Sequence, residues 1–244
     1  MRFALCCLHF KKDMYIKIIK LNTVDSTNDY ASRVALLGAK EITVVSADSQ
    51  SFGKGRMGRS WISVPGKGIY ASFIMRPQNS LAEINYLPLI SALATAKFLE
   101  NILASSQKEH RKDKDEAKIR IKIKLPNDII INDKKIVGIL VEAKTTGKKP
   151  NFVIIGIGIN INSLKEELPG QATSLLIETG KKYDTEKIFP KLIKEMVSVY
   201  TDFKKGKINS LLREVLTFDA AASTGEIEEM FNSKNKAREV VRFI

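Results

Sequence analysis

The segment from Gln50 to Trp61 combines the residue types that bind an anion. Its sequence, QSFGKGRMGRSW, contains three glycines and the cations Lys54, Arg56 and Arg59 within seven consecutive positions. Glycine lets the backbone approach a ligand closely, and a guanidinium group binds carboxylate or phosphate through paired donors. The segment therefore predicts a loop that holds a carboxylate or a phosphate.

Two common phosphate-binding patterns resemble this segment but do not fit its context. Gly53-x-Gly55-x-x-Gly58 has the spacing of the dinucleotide fingerprint, but Pro65 and a predicted strand follow where a helix is required. The segment also approximates a P-loop with Arg59 in the lysine position, and it fails for the same reason. Because a glycine-rich loop alone is weak evidence, a ligand site and a plain surface loop both stay open at this point.

Polar residues at a predicted strand end form a second candidate. In Lys124-Leu125-Pro126-Asn127-Asp128, the proline restricts the backbone directly before an amide and a carboxylate. Such a segment fixes where Asn127 and Asp128 point, although a simple strand-end turn has the same pattern.

Glycines within apolar strands form a third candidate. Gly156 and Gly158 interrupt an otherwise apolar strand, GIGIN, which is typical of close approach by a ligand, of a bulge or of a kinked core strand. Lys135 stands just before the apolar run IVGILVE, which contains Gly138 and ends at Glu142, so we expect this lysine to be partly buried.

The elements that must position these residues indicate an α+β fold with a largely antiparallel mixed sheet packed by helices. A helix is expected after the cap at Asp25-Ser26, ending before Gly38, and an antiparallel hairpin is expected around Asn132-Asp133. The predicted strands are residues 15–21, 42–45, 69–75, 119–124, 128–131, 136–142 and 152–160, and further helices are predicted at 87–103 and 185–205.

Composition narrows the class of protein. The 244 residues carry 40 Lys and Arg against 27 Asp and Glu, a net charge of +13, but the cations lie in mixed, solvated runs without a recognition-helix pattern. We therefore expect no specific nucleic-acid partner. No stretch approaches the roughly eighteen apolar residues of a membrane helix, so no membrane association is expected.

The scarce histidines and cysteines exclude several chemistries. His9 and His110 do not suit a Ser-His-Asp hydrolase, and together with Cys6 and Cys7 they do not suit a zinc site. The adjacent cysteines fit a reducing cytoplasm, and the opening residues lack a signal-peptide cleavage site.

Five segments in this order resemble the catalytic domain of biotin protein ligases. They are Asp25-Ser26-Thr27-Asn28, Gln50 to Trp61, KLPND at 124–128, KKIVGILVE at 134–142 and GIGIN at 156–160. The resemblance implies the class II aminoacyl-tRNA-synthetase-like fold of that domain. It also implies an enzyme that converts biotin and ATP to biotinyl-5′-AMP and passes biotin to one lysine of a carboxylase carrier domain.

The resemblance assigns expected roles to individual residues. Lys135, Arg56 and Asp128 are the expected catalytic residues, with Asp128 a candidate Mg²⁺ ligand. Residues expected to bind biotin are Ser26, Thr27, Asn28, Gln50, Lys54, Gly55, Arg56, Lys135, Gly138 and Gly158. Residues expected to bind ATP or the adenylate are Arg56, Arg59, Trp61, Asn127, Asp128 and Asn160.

The chain departs from the family pattern at two places in these segments. Leu125 stands where the family often has tryptophan, and Met57 stands where a further arginine is common. We expect a tail at residues 1–14, a catalytic domain at 15–207 and a short segment at 208–244 without the usual SH3-like barrel. We expect no helix-turn-helix repressor domain, and a monomer or homodimer.

Two other functions remain open. A lipoate or octanoyl ligase shares the fold and also acylates a carrier lysine, although the SFGKGRMGRSW loop favours biotin. A non-catalytic paralogue that binds biotin or a nucleotide is compatible with the short C-terminal segment.

Overall fold

One mixed sheet runs through the part of the chain that the structure, a computed structural model, describes: residues 3–11, 14–108, 119–147, 149–218 and 241–243. The strands are β1 Phe3–Lys11, β2 Met14–Val24, β3 Thr43–Gln50, β4 Gly68–Met75, β5 Ile121–Lys124, β6 Asp128–Ile131, β7 Lys134–Thr146, β8 Lys149–Asn160 and β9 Val241–Phe243. The helices are α1 Thr27–Leu36, α2 Leu81–Ile84, α3 Leu87–Lys108, α4 Leu175–Thr179, α5 Thr185–Lys204 and α6 Ile208–Leu216.

Most neighbouring strands in this sheet are antiparallel. The order is β1-β2-β3-β4-β8-β7-β6-β5, with β9 beside β7. Among these pairs, β2–β3 and β7–β9 are parallel. The predicted α+β class with a largely antiparallel mixed sheet is therefore confirmed.

The two faces of the sheet pack against different elements, and β8 shows this most clearly. Val153, Ile155, Ile157 and Ile159 face the large core that contains α3, α5 and α6. On the other face, Phe152 and Ile154 pack in a smaller core with Ala31 and Ala35 of α1. Because side chains alternate along a strand, the glycines at 156 and 158 continue this second face without bulk. Space for a cavity therefore opens beyond α1.

Helix α3 is the central helix of the large core. With α2, it forms a stretch, Leu81–Ser105, that is long and apolar enough to cross a membrane by length and composition alone, which the sequence analysis did not expect. Of the 18-residue window that meets this test, 78% is buried within the fold. Its neighbours include α5, α6 and the strands β5 to β8. Its apolar character therefore serves the interior of the fold.

The main differences from the predicted elements lie at the two ends of the chain. The sequence predicts a tail at residues 1–14, whereas residues 3–11 form β1, antiparallel to β2. The short β9 pairs with β7 and had no counterpart in the prediction. Both strands depend on pairing with a neighbour, which a local pattern does not reveal. Within 208–244, the sequence has two helix-like stretches, LLREVL at 211–216 and EIEEMF at 226–231. Helix α6 includes the first, and the second lies outside the described residues.

Candidate functional site

A cavity of about 560 Å³ lies on the second face of the sheet, between α1, the loop at residues 51–62 and strands β6 to β8. The residues that the sequence proposed for the site all line it: Ser26, Thr27, Asn28, Gln50, Lys54, Gly55, Arg56, Arg59, Trp61, Asn127, Asp128, Lys135, Gly138, Gly158 and Asn160. The fold therefore brings segments more than a hundred residues apart to one cavity.

The floor of this cavity is a pair of glycines on neighbouring strands. Gly138 of β7 and Gly158 of β8 are direct cross-strand partners. The indole of Trp61 lies on both, since a Cβ at Gly138 would meet its ring at 2.6 Å and a Cβ at Gly158 at 2.5 Å. The sequence predicted close approach by a ligand, or a bulge, at Gly156 and Gly158; at Gly158 a side chain of the same protein makes the close approach.

Two contacts hold Trp61 in place. Its backbone N–H donates to the carbonyl of Gly53 at 2.8 Å, and Lys135 Nζ lies 5.6 Å from the centre of its ring. The indole Nε1 is buried without a hydrogen-bond partner. An indole N–H usually finds an acceptor when it is buried, so this donor is an unfilled hydrogen-bonding position in the cavity wall.

One end of the cavity rests on a continuous set of hydrogen-bonded side chains, which we call the polar chain: Glu142, Asn28, Ser72, Thr27, Gln50 and Ser63. Asn28 Nδ2 donates to Glu142 Oε2 at 2.8 Å, and its Oδ1 accepts from the Ser72 hydroxyl at 2.6 Å. Gly156 makes room for this amide, because a Cβ there would lie 2.1 Å from Asn28 Oδ1. The polar chain therefore fixes the orientation of Asn28.

The polar chain continues from α1 to β3. The backbone N–H of Thr27 donates to Gln50 Oε1 at 2.8 Å, and Gln50 Nε2 donates to Ser63 Oγ at 2.9 Å. The Thr27 hydroxyl lies within hydrogen-bonding distance of both Gln50 Oε1, at 3.0 Å, and Ser72 Oγ, at 2.8 Å. Each amide is thus held at both ends, so this wall is pre-organised for a polar ligand group.

The first turn of α1 is held by charged residues on its outer side. Ser26 is the N-cap, but its side chain makes no capping bond, and its backbone N–H donates to Asp25 Oδ1 at 2.8 Å. Arg33 donates to both oxygens of Asp25, at 2.9 and 3.0 Å. These Arg33 hydrogen bonds hold the pKa of the Asp25 carboxyl below its usual value.

Two side-chain contacts join the tip of the glycine-rich loop to the body of the protein. Lys54 Nζ lies 2.5 Å from Asp29 Oδ1 in the first turn of α1. On the other side, Arg56 Nη1 donates to Asn127 Oδ1 at 2.6 Å. Asn127 is itself fixed, because its Nδ2 donates to the Ile139 carbonyl at 2.7 Å. The loop therefore spans the cavity from α1 to the start of β6.

Lys135 and Asp128 form an ion pair inside the cavity, with 2.8 Å between Nζ and Oδ1. Lys135 is thus the charged partner of a buried carboxylate oxygen. The backbone of Lys135 is clamped on both sides, its N–H donating to Gln171 and its carbonyl accepting from Thr173. The predicted partial burial of Lys135 beside Gly138 is confirmed, because its Cε would lie 3.4 Å from a Cβ at that glycine.

Sequence reasoning missed several parts of the cavity. The segment at residues 168–172 lines it through Leu168, Pro169, Gln171 and Ala172. These residue types carry no chemical signature, and their contribution depends on backbone pairing with Lys135. Ser72 and Asp29 act from behind the wall, and neither stands in a recognisable motif. The one available signal was position: Asp29 directly follows the Ser-Thr-Asn segment.

The cavity is suited to an elongated ligand that is partly flat and carries an anion. It offers an aromatic ring and a glycine floor at its centre, amides and hydroxyls at one end, and the cations Lys54, Arg56, Arg59 and Lys135 along its length. Among the described residues, no cluster of three or more His, Cys, Asp or Glu side chains could hold a metal ion.

Comparison with known proteins gives consistent results. The model of the biotin/lipoate A/B protein ligase family matches residues 21–160. The bifunctional ligase/repressor BirA of Bacillus subtilis (strain 168) is 35% identical over 190 residues, which are 76% of this chain and 54% of that protein. The biotin–[acetyl-CoA-carboxylase] ligase of Paracoccus denitrificans is 30% identical over 171 residues, 68% of this chain and 65% of that protein. The chain spans about half the length of the BirA relatives that it matches.

Solved structures agree with the sequence relatives. The biotin protein ligase from Aquifex aeolicus in complex with biotin and ATP has a TM-score of 0.65 and 30% identity, covering 82% of this chain and 77% of that chain. The biotin protein ligase from Leishmania major in complex with biotinyl-5-AMP has a TM-score of 0.59 and 26% identity, covering 85% and 82%.

Proposed function

The chain belongs to the biotin/lipoate A/B protein ligase family, and we propose that it joins biotin to ATP as biotinyl-5′-AMP and then transfers the biotinyl group to a lysine of a carrier domain. The observation that carries this proposal is the convergence of all five family-like segments on one cavity. The two solved relatives named above bind biotin with ATP and biotinyl-5-AMP. The activity and its substrates are therefore argued from the cavity and the family together.

The polar end of the cavity suits the ring system of biotin. The ureido group has both donors and acceptors, and Ser26, Thr27 and Gln50 offer complementary groups at that end. Asn28 is oriented by Glu142 and Ser72 before any ligand arrives. Because Gly138 and Gly158 carry no side chain, the Trp61 indole lies directly on the sheet there, and the flat rings and the tail would lie against this indole.

The cationic part suits the carboxylate and the α-phosphate. In the first step, an oxygen of the biotin carboxylate attacks the α-phosphorus and the bond to pyrophosphate breaks. Negative charge accumulates on the α-phosphate oxygens in that transition state. Lys135 and Arg56 are the proposed groups that stabilise it, because both are held in the cavity by neighbouring residues and need little reorganisation.

The nucleotide end is formed by Arg59, Trp61, Asn127, Asp128 and Asn160. Trp61 offers an aromatic face to the adenylate, and Asn160 is oriented because its Nδ2 donates to the Thr173 carbonyl at 3.0 Å. MgATP is the expected substrate, and Mg²⁺ would neutralise part of the negative charge of the phosphates when it is bound. Asp128 is the proposed protein ligand, since its carboxylate lines the cavity and a carboxylate oxygen suits this cation, and phosphate oxygens and water would supply the remaining ligands.

The second step needs a free amine from the acceptor. The acceptor lysine nitrogen attacks the acyl carbon, the bond to AMP breaks, and an amide forms. The amine must lose its proton, and Asp128 is the proposed acceptor of that proton. We assign the acceptor to a carrier domain of a biotin-dependent carboxylase and the compartment to the cytoplasm, since Cys6 and Cys7 are free thiols.

Biotin-dependent release of pyrophosphate from MgATP tests the first step. Mass spectrometry of an added apo carrier domain, in the same reaction, tests the second. Pyrophosphate with a biotinylated lysine supports the complete reaction, whereas a folded protein that releases none contradicts the proposal and favours a binding protein. Because the matched family includes lipoate ligases, the same assay with lipoate and octanoate distinguishes the acyl substrate.

A further inference from the structure

Two hydroxyl groups of the polar chain serve three close contacts between oxygen atoms. Ser72 Oγ lies 2.6 Å from Asn28 Oδ1 and 2.8 Å from the Thr27 hydroxyl oxygen. The same Thr27 oxygen lies 3.0 Å from Gln50 Oε1. An amide oxygen carries no proton and a hydroxyl carries one, so the three contacts share two protons. One of the three contacts is therefore always left without a hydrogen bond.

The missing proton falls at the cavity end of the polar chain. Ser72 is completely buried and its contact to Asn28 Oδ1 is the shortest of the three, so Ser72 donates to Asn28. The Thr27 hydroxyl then donates either to Ser72 or to Gln50, and the other contact stays open. Thr27 and Gln50 both line the cavity. A donor on the ligand would therefore fill the acceptor that the protein leaves open.

Rotation of the Asn28 amide would remove this shortage. If the amide turned by 180°, its Nδ2 would face Ser72 and donate to it. Ser72 would then donate to Thr27, and Thr27 to Gln50. All three contacts would have their own proton, and the protein would need no donor from a ligand.

Glu142 holds the Asn28 amide against this rotation. Its Oε2 accepts from Asn28 Nδ2 at 2.8 Å, and the Leu140 carbonyl oxygen lies 3.5 Å from the same nitrogen. Rotation would turn the amide oxygen toward both of these oxygens. Glu142 is 3% exposed and Asn28 is 4% exposed, so little water reaches this contact to weaken the repulsion.

We propose that Glu142 sets the acyl-group specificity of the cavity: because it fixes Asn28, the polar end stays one proton short and selects a ligand ring that carries an N–H donor. Glu142 is not among the residues that line the cavity, so it is a positioning residue that acts through Asn28 and Ser72. The inference rests on the proposed function, since the ureido ring of biotin carries two N–H groups. The dithiolane ring of lipoate and the alkyl chain of octanoate carry none.

Isothermal titration of the full chain with two ligands tests this specificity. One ligand is biotin, and the other is its cyclic carbonate analogue, in which ring oxygens replace both ureido nitrogens and no N–H remains. The ratio of the two Kd values reports the need for a donor. A general loosening of the cavity would weaken both ligands and leave the ratio unchanged.

The ratio is measured for the wild type, Glu142→Gln and Ser72→Ala. Glu41→Gln is the matched control, because Glu41 is a partly buried carboxylate outside the cavity that accepts from Tyr200 and Lys204.

The wild type should bind biotin about a thousandfold more tightly than the carbonate, since a site built around a donor rejects an analogue that lacks it. Glu142→Gln should lower this ratio by about tenfold, because a neutral amide at position 142 lets Asn28 rotate. Ser72→Ala should also lower the ratio, because only the contact between Thr27 and Gln50 remains and Thr27 supplies its proton. Glu41→Gln should keep the wild-type ratio.

Several results would overturn the inference. A ratio near one in the wild type does so without any variant. An unchanged ratio in Glu142→Gln also does so, whether or not its affinity for both ligands falls, because Glu142 would then have a structural role only. If Glu142→Gln does not fold, an unchanged ratio in Ser72→Ala has the same meaning.

Biotin-dependent pyrophosphate release by the wild type separates this inference from the proposed function. Release with biotin, together with an unchanged ratio in the variants, overturns the specificity role of Glu142 and leaves the proposed function intact. Release with lipoate or octanoate but not with biotin overturns both.

Discussion

Lys134 and Lys135 are adjacent in β7 but have different surroundings. Lys135 Nζ lies by Asp128 and near the Trp61 ring inside the cavity. Lys134 is half exposed, and its Nζ lies 3.4 Å from Oε1 of Glu178, a largely buried carboxylate outside the cavity that also accepts from Asn132 and Thr173. The pair therefore provides a built-in comparison between a cavity cation and a surface cation of the same type.

Replacing Lys135 by alanine should abolish adenylate formation. Loss of a pre-organised charge at the α-phosphate is expected to lower the rate of biotin-dependent pyrophosphate release by about a hundredfold or more. The Lys134→Ala protein should stay close to the wild-type rate, and thermal unfolding should show that both variants fold. Near-normal pyrophosphate release by Lys135→Ala would remove this residue from its proposed role.

A methyl group at Gly156 and one at Gly158 should disturb different walls of the cavity. Gly158→Ala puts Cβ 2.5 Å from the Trp61 ring, so the indole must leave its seat, whereas Gly156→Ala strikes Asn28 and breaks the polar chain. Both variants should lose the biotin-induced rise in Tm, because each disturbs a wall of the cavity before ligand arrives. Differential scanning fluorimetry with and without biotin measures this.

Gly66→Ala is the control for these substitutions. Gly66 has a φ of +69° and nothing near its Cβ position, so alanine should lower Tm through backbone strain alone. Its biotin-induced rise should persist. A full biotin-induced rise in the Tm of Gly158→Ala would show that the packing of Trp61 on Gly158 does not matter for binding.

At the scale of elements, the Lys54–Asp29 ion pair should hold the glycine-rich loop closed. Asp29→Asn removes the charge that meets Lys54, and the pair is about one third exposed, so the expected effect is modest. We expect tryptic cleavage after Lys54, Arg56 or Arg59 to become about threefold faster, since cleavage follows the open population of the loop.

Asp202→Asn is the matched control for the loop experiment. It removes the partner of Lys207, 2.9 Å away at the end of α5, and should leave cleavage of the loop unchanged. Equal cleavage of wild type and Asp29→Asn would show that the loop closes without this ion pair.

Local patterns predicted the elements that local chemistry determines. Helix α3 begins at Leu87 as predicted, because its apolar residues are continuous over many turns. The hairpin turn at Asn132 and Asp133 is confirmed, with φ of 48° and 60° at residue types that tolerate the left-handed region. The five family-like segments also identified most of the cavity.

Features that depend on distant partners were not predictable in this way. β1 exists through pairing with β2, and β9 through pairing with β7. The segment at 168–172 reaches the cavity through backbone bonds to Lys135, and backbone groups are the same in every residue. No local pattern distinguishes Ser72 from the other serines, and only the fold places it next to Asn28.

At the scale of the whole molecule, Glu41 links the two sides of the sheet. It lies between α1 and β3 and accepts hydrogen bonds from Tyr200 at 2.7 Å and Lys204 at 2.6 Å, both on α5. Burial alone would raise the pKa of this carboxyl, but the hydrogen bonds from Lys204 and Tyr200 outweigh burial and hold the pKa below its usual value.

The lowered pKa fixes the sign of a pH effect on stability. The contribution of Glu41 is present above its unfolded pKa of about 4.3 and is lost as the pH falls through the folded value. Glu41→Gln should therefore lower the free energy of unfolding by about 1 kcal/mol at neutral pH, with allowance for partial solvation. The difference from wild type should close toward about pH 3.

Urea unfolding of both proteins across this pH range measures the effect. Glu186→Gln is the control, since Glu186 pairs with Lys20 at the surface and is 67% exposed. A difference between wild type and Glu41→Gln that does not vary with pH would assign the effect of Glu41 to shape instead of charge.

The packing of Trp61 on Gly138 and Gly158 also has a consequence for the protein during its synthesis. About a hundred residues separate this tryptophan from Gly158, so the ribosome releases the indole long before it makes the surface that receives it. At about 5–20 residues per second, that delay is about 5–20 s. During this interval the indole lacks the surface that receives it, so the nascent chain exposes an aromatic ring that the folded protein packs against Gly138 and Gly158.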